Sequence, residues 1–373
     1  MKMTKELLTL NQDIAGQEIG IPVYHIDSGS NENPTVYIQS AVHAAEMQGS
    51  AVIYQLIKML PKLKLQANFI LVPNCNPFGR TQRAGEYLQG RFDATTGNNW
   101  NRFYYYHKNI AKQFISSLKI KELVAGEYSS LDLRSKFRQY LKESIVHSIN
   151  SEWGVNTAQY LNYKLQLLAA NADYVIDLHT GPSSTRHIYS PDFLIDDALH
   201  FNIENIISIP PSFAGALDEA SFTPWIDLGN TLKEYGIEFN YRVKAFTVEL
   251  GSQENICLTQ AFDDMAGIVN YMRSQQLVAG GPGIVKKAIT VTPLTNYKTL
   301  FSKHAGMVEY LAKAGDRVLQ GQTIARVLNS LEFDSDLGLV NITAPSSGIV
   351  ILHYPSAAVQ VGTQLYKIAV DEN

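Results

Sequence analysis

Four short runs constrain the fold more than anything else in this chain: "TVYIQSAV" (35–42), "ANFILVPNC" (67–75), "DYVIDLH" (173–179) and "AFTVELG" (245–251). Each is apolar and β-rich, and each stops at a polar residue or a turn, as a strand buried on both faces does. Between the first two lies "GSAVIYQLIKMLPKL", whose Val52, Ile53, Leu56, Ile57 and Leu60 recur with helical period. Strand, helix, strand in so short a span is a βαβ unit, and it predicts an α/β fold around a mixed, mostly parallel sheet flanked by helices. Residues 104–170 are helical in pattern, as in "AKQFISSLKIKELV" and "LRSKFRQYLKESIVHSI", and read as an insertion packed around the sheet. A further helical stretch, "LTQAFDDMAGIVNYMRSQQLV", follows the last run.

The character changes after "AGGPGIVKK" (279–287), a glycine-rich linker. The spacing divides the chain into a first domain over 1–287 and an all-β second domain over 288–373. The second contains a repeat. Gly306 and Val308 precede Val318, Gly321, Ile324 and Val327; Gly348 and Val350 precede Val359, Gly362, Leu365 and Ile368. Two copies of one β unit predict a small barrel-sandwich, similar to lipoyl and biotinyl domains. A carrier domain of that kind needs a lysine on the hairpin between its halves. The connection here, "LNSLEFDSDLGLVNITAPSSG" (328–348), has none. The expected role is therefore a lid, a scaffold or an assembly surface, the last being where a homo-oligomer would form.

Bulk properties narrow the partners. The 373 residues are 45% hydrophobic and 18% charged, an ordinary globular balance, and the net charge of −4 argues against nucleic acid or an anionic membrane. No apolar stretch is long enough to span a bilayer, and "MKMTKELLTLNQD" lacks the apolar core of an export signal. Two cysteines, Cys75 and Cys257, are too few for a disulfide framework, and the expected compartment is the reducing cytoplasm. Cys75 reads as a small buried residue rather than a ligand.

The chemistry concentrates at strand ends. His43 follows the first run and Glu46 comes three residues later; His179 closes the third run and Glu249 the fourth. Ligands bind at the carboxyl ends of strands in a parallel α/β sheet, where loops converge. One histidine there means little, but titratable groups at three equivalent ends suggest a site. Two imidazoles and a carboxylate are the His₂Glu set of catalytic zinc, which leaves a fourth position open. His43, Glu46 and His179 are the expected ligands, and Glu249 the general base. Asp177 points to the same side as His179, either orienting an imidazole or standing as a satisfied buried carboxylate. Asn101 and Arg102, in "QGRFDATTGNNWNRFYYY" (89–106), read either as a clamp for a substrate carboxylate or as surface polar residues. Arg91 could polarise the scissile carbonyl, or pair with a surface acid. Arg186 and His187 follow His179 closely enough to line its pocket, whereas His25, His107, His147, His200, His304 and His353 belong to no second cluster. The aromatic run Tyr104–Tyr106 reads as packing more readily than as a pocket wall.

The ordered motifs H43-x-x-E46, "NCNPFG", "GRFDATTGNNWNR", "DLHTG" and "VELG" resemble the succinylglutamate desuccinylase/aspartoacylase family, which is similar in fold to zinc carboxypeptidases. The resemblance covers roughly residues 30–275, and the C-terminal β region resembles that of many bacterial members. It implies one zinc per chain on His43, Glu46 and His179, with Glu249 as general base and Asn101 and Arg102 on the substrate's carboxylate. Arg91 is the best match for the carbonyl-polarising arginine, with Arg80 and Arg83 as competitors. Asn99 stands where the family carries an acidic residue. The implied activity is hydrolysis of the amide bond of a small, carboxylate-bearing N-acylated amino acid or related compound, a deacylase reaction. A metallocarboxypeptidase acting on short peptides would need the same residues, and a non-catalytic binding protein could keep the same fold.

Overall fold

The computed structural model describes residues 2–30, 32–285 and 288–371. Among them, nine strands form one sheet in the order Lys2–Gln12, Glu18–Asp27, Asn68–Val72, Thr35–Ser40, Tyr174–Gly181, Lys244–Ser252, Arg186–Pro191, Asn205–Ile209 and Thr290–Pro293. Pairing is parallel from Asn68–Val72 through Lys244–Ser252, and again from Arg186–Pro191 outward. The N-terminal hairpin and the junction between Lys244–Ser252 and Arg186–Pro191 are antiparallel. All four strands expected in this sheet are present, at its centre.

Side-chain alternation sorts these strands into two layers. Val36, Ile38, Ile176, Leu178, Phe246 and Val248 face one side, where helices Gln48–Met59 and Leu258–Ser274 cover them with Val52, Ile53, Leu56, Met265 and Ile268. Tyr37, Val175 and Ala245 face the other, under Phe114, Phe137, Leu161, Trp225 and Leu228. Those residues come from helices Ile110–Ser117, Ser130–Ile149, Thr157–Ala169 and Leu217–Lys233. The helical stretch expected over 104–170 is thus the carpet on one face. Its two longest helices begin with reciprocal caps, Ser129 with Asp132 and Asn156 with Gln159.

After residue 290 the chain is rich in strands. Two sheets form, in the orders Tyr297–Phe301, Gln364–Val370, Gly348–His353, Arg317–Val318 and Leu339–Thr343, Thr323–Leu328, Gly306–Tyr310, Ala358–Val359. Each repeat therefore lends its middle strand to the sheet built by the other. Gly321 and Gly362, at equivalent positions, both take left-handed backbone at φ +80 and +86. Buried Val318, Ile324 and Val327 meet Val359, Leu365 and Ile368 in a common core. The change of region is not a clean cut. Thr290–Pro293 still extends the large sheet, and Ser183–Ser184 pairs with Leu352 and His353. The expected boundary at 287/288 touches Lys286 and Lys287, which lie outside the described residues.

Candidate metal centre and substrate cavity

The site lies at the carboxyl ends of Thr35–Ser40 and Tyr174–Gly181. These neighbours are the point where the chain, having built outward to Asn68–Val72, returns to build the other way. Register fixes what meets there. Gln39, Asp177, Thr247 and Tyr189 form one row across four strands, and His179, Glu249 and His187 form the next row outward. Because alternation puts both rows on one face, the buried apolar layer ends in a buried polar one.

His43 is reached through a left-handed turn at Ala41, φ 61, an unfavourable conformation for a residue with a side chain. Helix Gln48–Met59 then starts hard against the sheet. A Cβ on Gly49 would lie 2.3 Å from Ser40 Oγ and 2.6 Å from Leu178 Cβ, so glycine permits the approach that brings Glu46 beneath both imidazoles.

Glu46 Oε1 lies 3.0 Å from His43 Nδ1, and Oε2 lies 2.8 Å from His179 Nδ1. The Thr180 N–H also donates to Oε2, and Arg91 Nη2 donates to Oε1 at 2.5 Å. The other ring nitrogens settle the tautomers. Asn99 Oδ1 accepts from the Asn101 backbone N–H, which fixes the amide's orientation; at 2.7 Å from His43 Nε2 it can only accept a proton there too. Asp177 Oδ2 lies 2.9 Å from His179 Nε2, and its Oδ1 accepts from Gln39. In its neutral form each imidazole would carry hydrogen on Nε2 and turn an Nδ1 lone pair toward the carboxylate. Facing lone pairs at this range repel unless a cation lies between them, so the donor set fits a metal ion. These three residues are also the one group of possible metal ligands among the described residues.

Without a cation the neighbouring carboxylates favour a proton on His179, which a metal ion would displace. Burial alone would raise the Glu46 carboxyl, but His43 and His179 outweigh it and hold it well below the usual range. Burial lowers His43. It also works against a charge on His179, yet Asp177 and Glu46 prevail and raise that group well above an ordinary imidazole. Glu249 is raised to about 7, by burial first and then by the charge of Glu46; its Oε2 is buried with no hydrogen-bond partner.

These groups open into a cavity of about 680 Å³, of the size that receives a small ligand. Arg91, Asn101, Arg102 and His187 line it, as expected, whereas Arg80 and Arg83 are exposed and do not. Arg186 pairs with Asp264 and Glu204 instead, and Tyr104–Tyr106 is absent from the lining. Asn101 Nδ2 lies 3.1 Å from His179 Nε2. His187 donates Nδ1–H to Thr185 O and, buried, falls to about 4, so it is a neutral imidazole with a free Nε2.

Two groups in this site escape sequence reasoning. From the position where the family carries an acidic residue, Asn99 accepts at His43 Nε2. The other is the far wall, built by Leu352, Tyr354, Gln364 and Lys367 of the C-terminal region with Leu294 and Tyr297. The Lys367 ammonium stands 5.1 Å from the centre of the Tyr297 ring, and burial lowers it. No local pattern ties a lysine in a β repeat to His43 and His179, far earlier in the chain.

A carboxypeptidase-like sheet bearing a His₂Glu cluster beside the half-buried Glu249 is the arrangement of a class of hydrolases. Within that class, the family model for the succinylglutamate desuccinylase/aspartoacylase catalytic domain matches residues 32–275, and the chain belongs to that family. Two solved structures assigned to it are similar over almost the whole chain. One, from Shewanella frigidimarina NCIMB 400, is 35% identical with a TM-score of 0.94, covering 99% of this chain and 98% of that one. The other, from Shewanella amazonensis SB2B, is 39% identical with a TM-score of 0.90, covering 98% of each. The product-bound ectoine utilization protein EutE (DoeB) from Ruegeria pomeroyi shares the fold at 16% identity and TM-score 0.66, over 99% of this chain and 95% of that one. A comparison with curated proteins gives no match.

Proposed function

We propose that this protein is a zinc-dependent hydrolase that cleaves the amide bond of a small N-acylated amino acid or related compound. The observation that carries the reading is the convergence of His43 Nδ1 and His179 Nδ1 on the Glu46 carboxylate, next to a Glu249 oxygen with no hydrogen-bond partner among the described residues. A zinc ion on His43, Glu46 and His179 would supply Lewis acidity toward a water and the scissile carbonyl. Glu249 takes a proton from the attacking water and returns it to the departing nitrogen. A carboxyl near 7 suits a group that must both accept and release a proton close to neutrality. Arg91 stabilises negative charge gathering on the carbonyl oxygen. Asn101 and Arg102 hold the carboxylate of the amino-acid half.

On this reading the strand-rich C-terminal region is a barrel-sandwich domain whose wall limits substrate length, which favours the deacylase over a carboxypeptidase. The cytoplasm is the compartment in which Cys75 and Cys257, both free, remain reduced. Elemental mass spectrometry of the purified, tag-free protein, followed by N-acyl amino acids assayed against short peptides, tests the reading. Close to one zinc per chain with turnover of the first group is expected. Failure to bind metal after incubation with zinc would overturn it, and preferential release of C-terminal residues from peptides would establish the carboxypeptidase.

A further inference from the structure

Asp218 is the second residue of helix Leu217–Lys233 and lines the cavity on the side of Arg102. Arg102 itself lies across the loop leading into that helix, so close that a Cβ on Gly215 would stand 2.9 Å from its Cδ. The carboxylate clamp and Asp218 therefore share one wall.

Asp218 is 2% exposed, and Oδ1 has no hydrogen-bond partner. The Thr247 hydroxyl and the Glu219 backbone N–H stabilise its charge in part. Burial, and then the negative charges of Glu219 and Asp177, push the carboxyl up to about 7. Glu219 cannot share the role, because its Oε2 is taken by the Ala214 and Ala216 N–H groups. Nor do the cavity's cations serve Asp218: Arg91 is held by Glu46, Arg102 donates to the Asn101 carbonyl, and Lys367 stands over the Tyr297 ring. A buried acid without a counter-ion is costly to keep unless something that enters the cavity completes it.

We infer that Asp218 selects the amino-acid half of the substrate, receiving the cationic end of a basic side chain while Asn101 and Arg102 hold its carboxylate. The substrate class is then an Nα-acylated diamino acid of the ornithine or lysine type. A neutral side chain leaves Asp218 as it is, and an acidic one adds a third negative charge beside Glu219 and Asp177. This inference rests on the hydrolase reading for its orientation, but it concerns binding as well as turnover.

The test uses the full-length protein supplemented with zinc, as wild type and as D218N. Nα-acetyl-L-ornithine is compared with its uncharged isostere Nα-acetyl-L-norleucine and with Nα-acetyl-L-glutamate. A charge-assisted contact predicts kcat/KM about 10- to 100-fold higher for the ornithine compound than for the norleucine one. D218N should erase that ratio through KM while keeping turnover of the norleucine compound. Calorimetric binding of free ornithine, norleucine and glutamate gives the same ranking without chemistry. Equal or better use of the norleucine or glutamate compound overturns the inference, as does a preference that survives in D218N. Should D218N fail to fold, the wild-type ranking alone decides. Preferential ornithine binding with no turnover of any amide would sink the hydrolase reading and leave Asp218's role standing; turnover without discrimination would do the reverse.

Discussion

The cavity has two walls of different origin. One is made at strand ends of the large sheet and carries His43, Glu46, His179 and Glu249; the other comes mainly from the C-terminal β region and carries Leu352, Tyr354, Gln364 and Lys367. The first is rigid and self-consistent, each imidazole fixed at Nε2 by an acceptor and turned at Nδ1 toward one carboxylate. The second offers a lysine with an aromatic ring beside it and no carboxylate bound to it. On the reading proposed above, the first wall carries the chemistry, and the second adds contacts to a substrate that Arg102 and Asp218 already orient.

The sharpest way to break that division is His179→Ala. It should abolish both metal retention and turnover, and full metal occupancy in the variant would remove His179 from the ligand set. Glu249→Gln should bind metal normally while kcat falls by about 10²- to 10⁴-fold, the usual scale for losing a general base. In the wild type the base works only when ionised. With the Glu249 carboxyl at about 7 before a cation lowers it, kcat/KM should fall as pH drops, along a limb at or below pH 7 that E249Q lacks. A smaller effect is expected across the cavity. Lys367→Met should leave metal content and kcat nearly unchanged while raising KM by about 10-fold, the cost of one charge-assisted contact. A drop in kcat alone would place Lys367 with the chemistry and blur the two walls.

The smallest effect on activity is expected at the opposite end of the strand that carries His179. Asp173 accepts from Arg138 at 2.9 Å and from the Tyr241 hydroxyl at 2.7 Å, and also pairs with Arg134. Burial opposes its charge, but these partners prevail and lower the carboxyl. Its stabilising contribution is thus complete above the unfolded aspartate value of about 4 and is lost as pH falls through the lower folded value. Asp173→Asn should cost about 3 kcal/mol in urea unfolding near neutrality, with kcat/KM unaltered. Its penalty should shrink in acid.

The first wall is legible in the sequence because it is local. His43 and Glu46 follow one apolar run, and His179 and Glu249 each close another, so finding the strands finds the site. The repeat in the last third is legible for the same reason, from its matched glycines and valines. Asn99 is harder: an amide oxygen performs the acceptor's task without the charge one looks for, and what commits it is a backbone N–H two residues on. The N-terminal hairpin Lys2–Gln12 and Glu18–Asp27 is missed because its first strand is largely exposed, with no continuous apolar run to mark it. The far wall and Asp218 depend on tertiary placement alone. A lysine at 367 and an aspartate in a helix's first turn look like ordinary surface residues until the fold turns them inward.

Ser183 and Ser184, just beyond His179, are in β-ladder contact with His353 and Leu352, and the Thr185 N–H donates to Ile351 O. The segment that carries His179 is thereby sewn to the region that forms the opposite wall. That seam makes the C-terminal region a poor lid, since swinging it away would drag the floor of the site along. A change in the C-terminal region should therefore be felt at His179 as well as at the wall it forms, because one backbone ladder ties the two.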